Sequence, residues 1–356
     1  MKHILCLIES LGSGGAERQL SGLAVMLRQQ GYDVEVFYYI KKEFYLPRLQ
    51  ENDVKACYCE EAENPRTRFF ALRRYIYQNR PDVVISYSPA TSMIAGLLKA
   101  LGGRFRLIVS ERNTTQTLTK REKAKFWFYR WADLIVPNSY AQSNFIGKHY
   151  PKYASKTKVI TNFVDTDFFC PDEIERQPSA ICRVACVSRL AEQKNVLGFL
   201  DVVKRLKENE VPLLIDWYGS TNTDYGYQCM KKVQELDLGD FITFKGETDD
   251  IRSVYRQYDV MCLPSFYEGF PNVVCEAMSC GTPILCSRVC DNPFIVTDGE
   301  NGWLFDPKNV DDMADKIKTF VAMAAEQLKA MSIANRQKAL GLFSTTAFIE
   351  KYKALL

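Results

Sequence analysis

The stretch Tyr267-Glu268-Gly269-Phe270-Pro271-Asn272-Val273-Val274-Cys275-Glu276-Ala277-Met278-Ser279-Cys280-Gly281 decides how this chain is read. It holds two carboxylates with seven residues between them, behind the apolar run Val260-Met261-Cys262-Leu263-Pro264, which suits a buried strand. Pro271 fits a first helical position and Gly281 a C-terminal cap, so Glu268 precedes a helix and Glu276 lies inside it. Helical side chains lean toward their own N-terminus. Both carboxylates can therefore look into one crevice at the carboxyl end of a strand, the edge where open α/β sheets bind ligands.

Outward from that stretch, the chain reads as strands alternating with helices, the pattern of a parallel sheet. Strands are expected over residues 4–8, 33–38, 81–86, 107–109 and 134–136, with a helix over 16–30 closed by Gly31 and another near 91–101. The rhythm breaks at Asn162-Phe163-Val164-Asp165-Thr166-Asp167-Phe168-Phe169-Cys170-Pro171, and the polar run to Pro178 reads as a linker. A second series follows, with strands over 183–187, 213–218, 241–244, 259–263 and 283–286 and a helix over 196–208. Beyond Asn309 the chain is mostly helical, with a break at 343–346 before one last helix over 345–355.

Length agrees with this division, since 356 residues exceed one ordinary core and can enclose a cleft between two domains. No apolar run reaches the roughly 18 residues of a membrane span. Twelve cysteines without a C-x-x-C pair, many in apolar segments, read as reduced core thiols of a cytoplasmic protein. His3 and His149 are the only histidines, which leaves little material for a histidine metal site or a Ser-His-Asp triad. The net charge of +3 hides an asymmetry: residues 1–165 hold 25 Lys+Arg against 15 Asp+Glu. A basic first half suits an anionic partner, polyphosphate or membrane surface, and the basic residues come without a nucleic-acid-binding module.

Four other stretches bear on chemistry. Gly12-Ser13-Gly14-Gly15-Ala16-Glu17 links a strand to a helix, where glycines either make a tight turn or let backbone N–H groups approach a phosphate. It is neither a P-loop nor G-x-G-x-x-G. Arg189 and Lys194, in the loop after the second half's first strand, could hold a diphosphate and neutralise it as a leaving group, or could be solvated loop cations. Residues 120–131, Lys-Arg-Glu-Lys-Ala-Lys-Phe-Trp-Phe-Tyr-Arg-Trp, interleave cations with aromatics, as in a helix at an anionic membrane surface or one receiving an acceptor's diphosphate; an amphipathic core helix reads the same way. Glu268 and Glu276 could each accept hydrogen bonds from vicinal hydroxyls of a sugar or ribose.

Together these pieces resemble the retaining, family 4 type of GT-B nucleotide-sugar glycosyltransferases. The resemblance rests on Gly-Gly-Ala-Glu-Arg at 14–18, Ser188-Arg189-Leu190 with Lys194, Glu268-x7-Glu276 continuing through Gly281-Thr282-Pro283, Asp298-Gly299-Glu300-Asn301-Gly302-Trp303-Leu304, and the hinge at 162–169. It implies an α/β fold of two Rossmann-like domains with parallel sheets facing across a cleft: 1–165 binding the acceptor, 166–342 binding the nucleotide-sugar, and a last helix, 343–356, packed back on the first domain. Glu276 would hold the ribose. Glu268 and the backbone of Phe270, Pro271 and Asn272 would hold the donor sugar, Arg189 and Lys194 the diphosphate, and Gly14 and Gly15 would add backbone donors. The nucleobase would lie near Gly219, Lys245 and Gly246.

The family needs no metal or other cofactor, which makes Asp165-x-Asp167 a decoy of the D-x-D found in metal-dependent transferases. Many relatives carry a histidine near the reacting sugar, but Ile85-Ser86-Tyr87-Ser88-Pro89 has none. The loop Val109-Ser110-Glu111-Arg112-Asn113 resembles a variant among transferases that extend polyprenyl-diphosphate-linked glycans, with Glu111 a candidate to orient or deprotonate the acceptor hydroxyl, or else a loop ion pair with Arg112 or a neighbour. The expected activity is transfer of a hexose or N-acetylhexosamine, UDP-linked by the same resemblance, in surface polysaccharide biosynthesis at the inner face of a membrane. A nucleotide-sugar epimerase and an inactive sugar-nucleotide-binding subunit are the alternatives.

Overall fold

The computed structural model describes residues 1–172 and 180–356, so the later part of the expected linker, 173–179, lies outside the described residues. The chain forms two compact units, Met1–Phe163 with Thr345–Leu356, and Val164–Ser344. Their boundaries fall at 163/164 and 344/345, against the expected 165/166 and 342/343.

The first unit holds a six-stranded parallel sheet of β1 (His3–Leu7), β2 (Asp33–Tyr38), β3 (Lys55–Tyr58), β4 (Val83–Ser86), β5 (Arg106–Glu111) and β6 (Leu134–Pro137), in the order β3-β2-β1-β4-β5-β6. The second repeats that plan with β7 (Cys182–Val187), β8 (Leu213–Tyr218), β9 (Ile242–Gly246), β10 (Val260–Leu263), β11 (Ile284–Ser287) and β12 (Gly302–Phe305), in the order β12-β11-β10-β7-β8-β9. In each unit the sequence order reverses next to the first strand, which opens a crevice at the strands' carboxyl ends. β3 and β12 were not expected from the sequence: β3 is a four-residue edge strand starting at Lys55, and β12 starts at Gly302, within the stretch Asp298-Gly299-Glu300-Asn301-Gly302-Trp303-Leu304.

In the inner strands β4, β10 and β11, and in β6, coverage on both faces buries every side chain and makes the apolar runs continuous, whereas β8 alternates and the edge strands β3 and β9 are partly exposed. In the first unit one face of the sheet packs on Leu20, Leu23 and Leu27 of the Gly15–Gln29 helix and on Phe348, Ile349 and Tyr352 of the terminal Thr345–Lys353 helix. The other face packs on the Pro65–Asn79, Pro89–Ala100 and Lys120–Phe128 helices through Leu72, Ile76, Leu98 and Phe126. Gly96 lets the last of these approach closely, since a Cβ there would sit 2.8 Å from the Phe128 carbonyl oxygen.

The end of the first unit is pinned by a buried amide. Gln19 donates from Nε2 to the Phe163 carbonyl (2.9 Å) and accepts from the Phe163 amide at Oε1 (2.9 Å). A side chain at Gly22 would collide with the Phe163 ring. The terminal helix is tied in by Arg112, which donates to the Tyr352 hydroxyl (2.7 Å) and Asn162 Oδ1 (3.0 Å) while lying over the Tyr87 ring at 4.0 Å.

All twelve cysteines are free. Burial pushes the Cys6, Cys182 and Cys280 thiols up to about 12 and Cys229 to about 11, so these remain protonated at neutral pH. Among the described residues no helix is long and apolar enough to cross a membrane.

Candidate active site

In the second unit, the ends of β7, β8 and β9 are joined by close backbone contacts that need glycine. A Cβ on Gly219 would lie 2.0 Å from the Ser188 carbonyl oxygen and 3.0 Å from the Arg189 nitrogen, so no side chain fits where β8 meets the loop after β7. The Gly219 amide donates to the Gly246 carbonyl (2.8 Å), and Gly246 has φ +77°. The Trp217 indole N–H donates to the Ser188 carbonyl at 2.9 Å. These bonds fix the backbone from which Arg189 projects. Arg189 itself is exposed and has no hydrogen-bond or ion-pair partner among the described residues.

Lys194 ends a short 3-10 turn, Glu192–Lys194, and is followed by Asn195 in the left-handed region (φ 54°), whose side-chain Nδ2 donates to the Pro307 carbonyl at 2.8 Å. That turn faces the loop after β10. Lys194 Nζ donates to Glu268 Oε1 at 2.7 Å, Gln193 Nε2 donates to the Tyr267 carbonyl at 2.8 Å, and the Phe266 amide donates to the Gln193 carbonyl at 2.9 Å. Glu268 is only 6% exposed, and its Oε2 has no hydrogen-bond partner among the described residues. Its amide donates to Cys290 Sγ at 3.4 Å, where Cys290 holds φ +50°, a value uncommon outside glycine.

The helix behind Glu268 spans Asn272–Ser279, with Pro271 (φ −82°, ψ 71°) capping it rather than opening it. The carbonyl of Pro271 accepts from the Val274 and Cys275 amides, so the cap is made by backbone alone. Gly281 takes φ +76° after the helix, as a left-handed C-terminal cap requires. Glu276, buried in the middle of this helix, accepts from the Tyr255 hydroxyl at 3.1 Å. The Phe270 ring packs into the core at 6.0 Å from Phe343, which leaves only backbone from that residue for a ligand. Lys245 is engaged by Asp216 at 3.2 Å, so its ammonium starts from an ion pair.

The first unit contributes a different set. Gly14 caps and Gly15 begins the Gly15–Gln29 helix, and both are exposed. Glu17 folds back over the turn, accepting from Ser10 Oγ at 3.1 Å and filling the space where a side chain on Gly14 would go. Glu111, at the end of β5, is buried and fully engaged: Lys125 Nζ donates to Oε2 at 2.8 Å, Gln142 Nε2 to Oε2 at 3.2 Å, and the Tyr129 hydroxyl to Oε1. The ion pair is with Lys125, not Arg112, and its geometry suits an anchor between β5 and the Lys120–Phe128 helix. Burial draws the Lys125 ammonium down, but Glu111 and Glu122 outweigh it and hold the group above its ordinary value. The Tyr129 hydroxyl is raised well above its ordinary value by burial and by Glu111.

Sequence reasoning therefore named the charged groups of the second unit, and the structure brings Lys194 and Glu268 into contact. It missed Gln193, Asn195, Tyr255 and Cys290. Gln193 and Asn195 flank Lys194 and could have been found from that adjacency, but Tyr255 and Cys290 carry no local signal because their partners lie 21 and 22 residues away on other elements. Among the described residues no group of three or more His, Cys, Asp and Glu side chains could hold a metal ion.

Two family models account for nearly all of the chain: Glycosyltransferase Family 4 matches residues 13–168 and Glycosyl transferases group 1 matches residues 176–338. The chain is a GT-B glycosyltransferase of family 4 type. It is 28% identical over 294 residues to a GalNAc-alpha-(1->4)-GalNAc-alpha-(1->3)-diNAcBac-PP-undecaprenol alpha-1,4-N-acetyl-D-galactosaminyltransferase of Campylobacter jejuni, covering 78% of this chain and 77% of that one. It is 24% identical over 308 residues to a UDP-Gal:alpha-D-GlcNAc-diphosphoundecaprenol alpha-1,3-galactosyltransferase of Escherichia coli, covering 80% of this chain and 77% of that one. The GT-B architecture is shared with Anabaena HepE, whose complex with UDP-glucose superposes at a TM-score of 0.83 with 18% identity over 100% of this chain and 99% of the other.

Proposed function

We propose that this glycosyltransferase moves a hexose or N-acetylhexosamine from a UDP-sugar to a lipid-diphosphate-linked glycan, with retention at the anomeric carbon and without a metal. The observation that carries the donor side is the Lys194–Glu268 pair at the carboxyl edge of one sheet, beside an Arg189 that has no partner among the described residues. Arg189 offers a planar fork and Lys194 a compact charge to a diphosphate, and both can stabilise the negative charge that develops as it leaves. Glu268 Oε2 accepts from donor-sugar hydroxyls, and Glu276 from the ribose.

In the transfer step the bond between the anomeric carbon and the diphosphate oxygen breaks, and an acceptor hydroxyl oxygen bonds to the same face of that carbon. The hydroxyl proton goes to the departing diphosphate oxygen. Glu111, held by Lys125 and Tyr129, positions the β5 end of the acceptor-binding unit instead of taking that proton. The acceptor class and the UDP-sugar follow the named substrates of the relatives. A lipid-linked acceptor is presented at a membrane, and the exposure of Trp127 in the basic aromatic segment 120–131 supports contact of that segment with an anionic surface.

The test is incubation with a panel of UDP- and GDP-sugars, with and without a lipid-diphosphate sugar. Nucleotide release that depends on acceptor and yields an α-linked product from an α-linked donor is expected. Release of free sugar without acceptor would mean an epimerase, and binding without turnover under every acceptor would mean an inactive subunit.

A further inference from the structure

A second face of basic and aromatic side chains lies on the Pro65–Asn79 helix of the first unit, outside every site above. Its sequence, Pro-Arg-Thr-Arg-Phe-Phe-Ala-Leu-Arg-Arg-Tyr-Ile-Tyr-Gln-Asn, contains no acidic residue. Ala71, Leu72 and Ile76 turn inward to the sheet. On the opposite side, Arg66, Phe70, Arg73 and Tyr77 follow one another at helical spacing and all are exposed, Phe70 at 66% and Tyr77 at 43%. The Arg73 guanidinium lies over the Tyr77 ring at 5.2 Å, and the Arg66 side chain has no ion-pair partner among the described residues. Water is a poor environment for such rings, and an ordinary solvated helix face would place acids among the arginines.

The same pairing recurs two helices away. The Pro89–Ala100 helix packs between the Pro65–Asn79 and Lys120–Phe128 helices on the same side of the sheet. On the latter, Lys120, Lys123 and Trp127 share one exposed face, Trp127 at 46%, and the Arg130 guanidinium lies over the Trp127 ring at 4.6 Å. Leu101 and Arg104 are exposed just beyond the end of the middle helix. Rings that sit at the depth of lipid headgroups, with arginine and lysine reaching phosphates around them, are the chemistry of an anionic bilayer surface.

We propose that the Pro65–Asn79 helix is a membrane-docking element, with Phe70 and Tyr77 entering the headgroup layer and Arg66 and Arg73 pairing with anionic phospholipid phosphates. It acts together with the 120–131 segment, so that the helical layer of the first unit rests on the bilayer along two basic aromatic stripes. The inference rests on the reading that the acceptor is lipid-linked, and it adds a docking element separate from the donor and acceptor chemistry.

The test is flotation of the full chain with vesicles of phosphatidylcholine alone or mixed with phosphatidylglycerol, at low and high salt, for wild type, Phe70→Ser with Tyr77→Ser, and Arg66→Glu with Arg73→Glu. Ile333→Ser with Leu340→Ser, exposed apolar positions of the second unit, serves as control, and melting curves confirm that each variant folds. Wild type and control are expected to float only with anionic vesicles and to be released by salt, while each first-unit variant partitions about tenfold or more less strongly. Turnover on a short-chain, water-soluble acceptor should be unchanged in all variants. The proposal is overturned if the variants bind vesicles like wild type, if they lose turnover on the short-chain acceptor, or if they abolish a dimer while wild type ignores vesicles. Failure of vesicle binding alongside intact acceptor-dependent transfer would remove this inference and leave the functional reading standing.

Discussion

Lys194 and Glu268, 74 residues apart, meet at 2.7 Å with both side chains largely shielded from water. A pair so placed is costly to break from one side, because the remaining charge keeps its burial and loses its partner. Lys194→Met and Glu268→Gln should each lower stability by about 2 kcal/mol, and the double variant should recover part of that without recovering activity. Chemical denaturation of the four proteins gives the coupling; strictly additive losses would show that the pair is not held in solution.

Arg189 offers the complementary case. Its side chain has no partner among the described residues, so Arg189→Ala should change stability by no more than about 0.5 kcal/mol. Turnover should nevertheless fall by about a hundredfold or more if the guanidinium stabilises the leaving diphosphate. A melting curve and a single-substrate rate measurement decide it, and an unstable but active variant would contradict the assignment.

The two carboxylates should separate by ligand. Glu268→Ala is expected to reduce turnover and UDP-sugar affinity while leaving bare UDP affinity nearly intact, whereas Glu276→Ala should weaken UDP itself. Titration calorimetry with UDP and with the active donor checks this. Equal loss of UDP affinity in both variants would refute the division of roles.

Gly219 and Gly147 form a matched pair for the backbone. Gly219→Ala would push on the Ser188 carbonyl and the Arg189 amide, costing about 1–3 kcal/mol and displacing the loop that carries Arg189, so donor KM should rise with it if that loop holds the diphosphate. Gly147 lies within the Tyr140–His149 helix with open space around it, and Gly147→Ala should stabilise the protein by about 0.5–1 kcal/mol. Thermal melts of both, with donor kinetics for the first, test the contrast.

Alkaline stability should report on Lys125. Its ammonium is raised above the ordinary value because Glu111 and Glu122 outweigh the effect of burial. A raised lysine contributes fully below its unfolded value of about 10.4 and loses the contribution as pH climbs through the folded value. Lys125→Met should therefore cost about 3 kcal/mol or more near neutrality, and the gap from wild type should narrow above pH about 10.5. A gap independent of pH would mean that packing, not charge, anchors this helix.

Much of the fold was legible from local pattern. Continuous apolar runs alternating with amphipathic helices announced parallel sheets, and Gly281 and the glycines at 12–15 marked the ends and starts of helices. The edge strand β3 was hidden because four residues beginning at Lys55 give too short a period to recognise, and its partly exposed side chains break the apolar run. Pro271 moved from first helical position to cap because its carbonyl, with no side-chain donor or acceptor, closes the first turn.

By itself the sequence determined the two-unit α/β plan and the identities of the charged groups, since periodicity and residue type are local properties of a chain. Only the tertiary structure decided which of those groups meet. It set Lys194 against Glu268, gave Glu111 to Lys125 and Tyr129, and left Arg189 unpartnered among the described residues. Those outcomes depend on crossovers that bring distant loops to one sheet edge, and on a buried carboxylate's need for donors wherever packing supplies them.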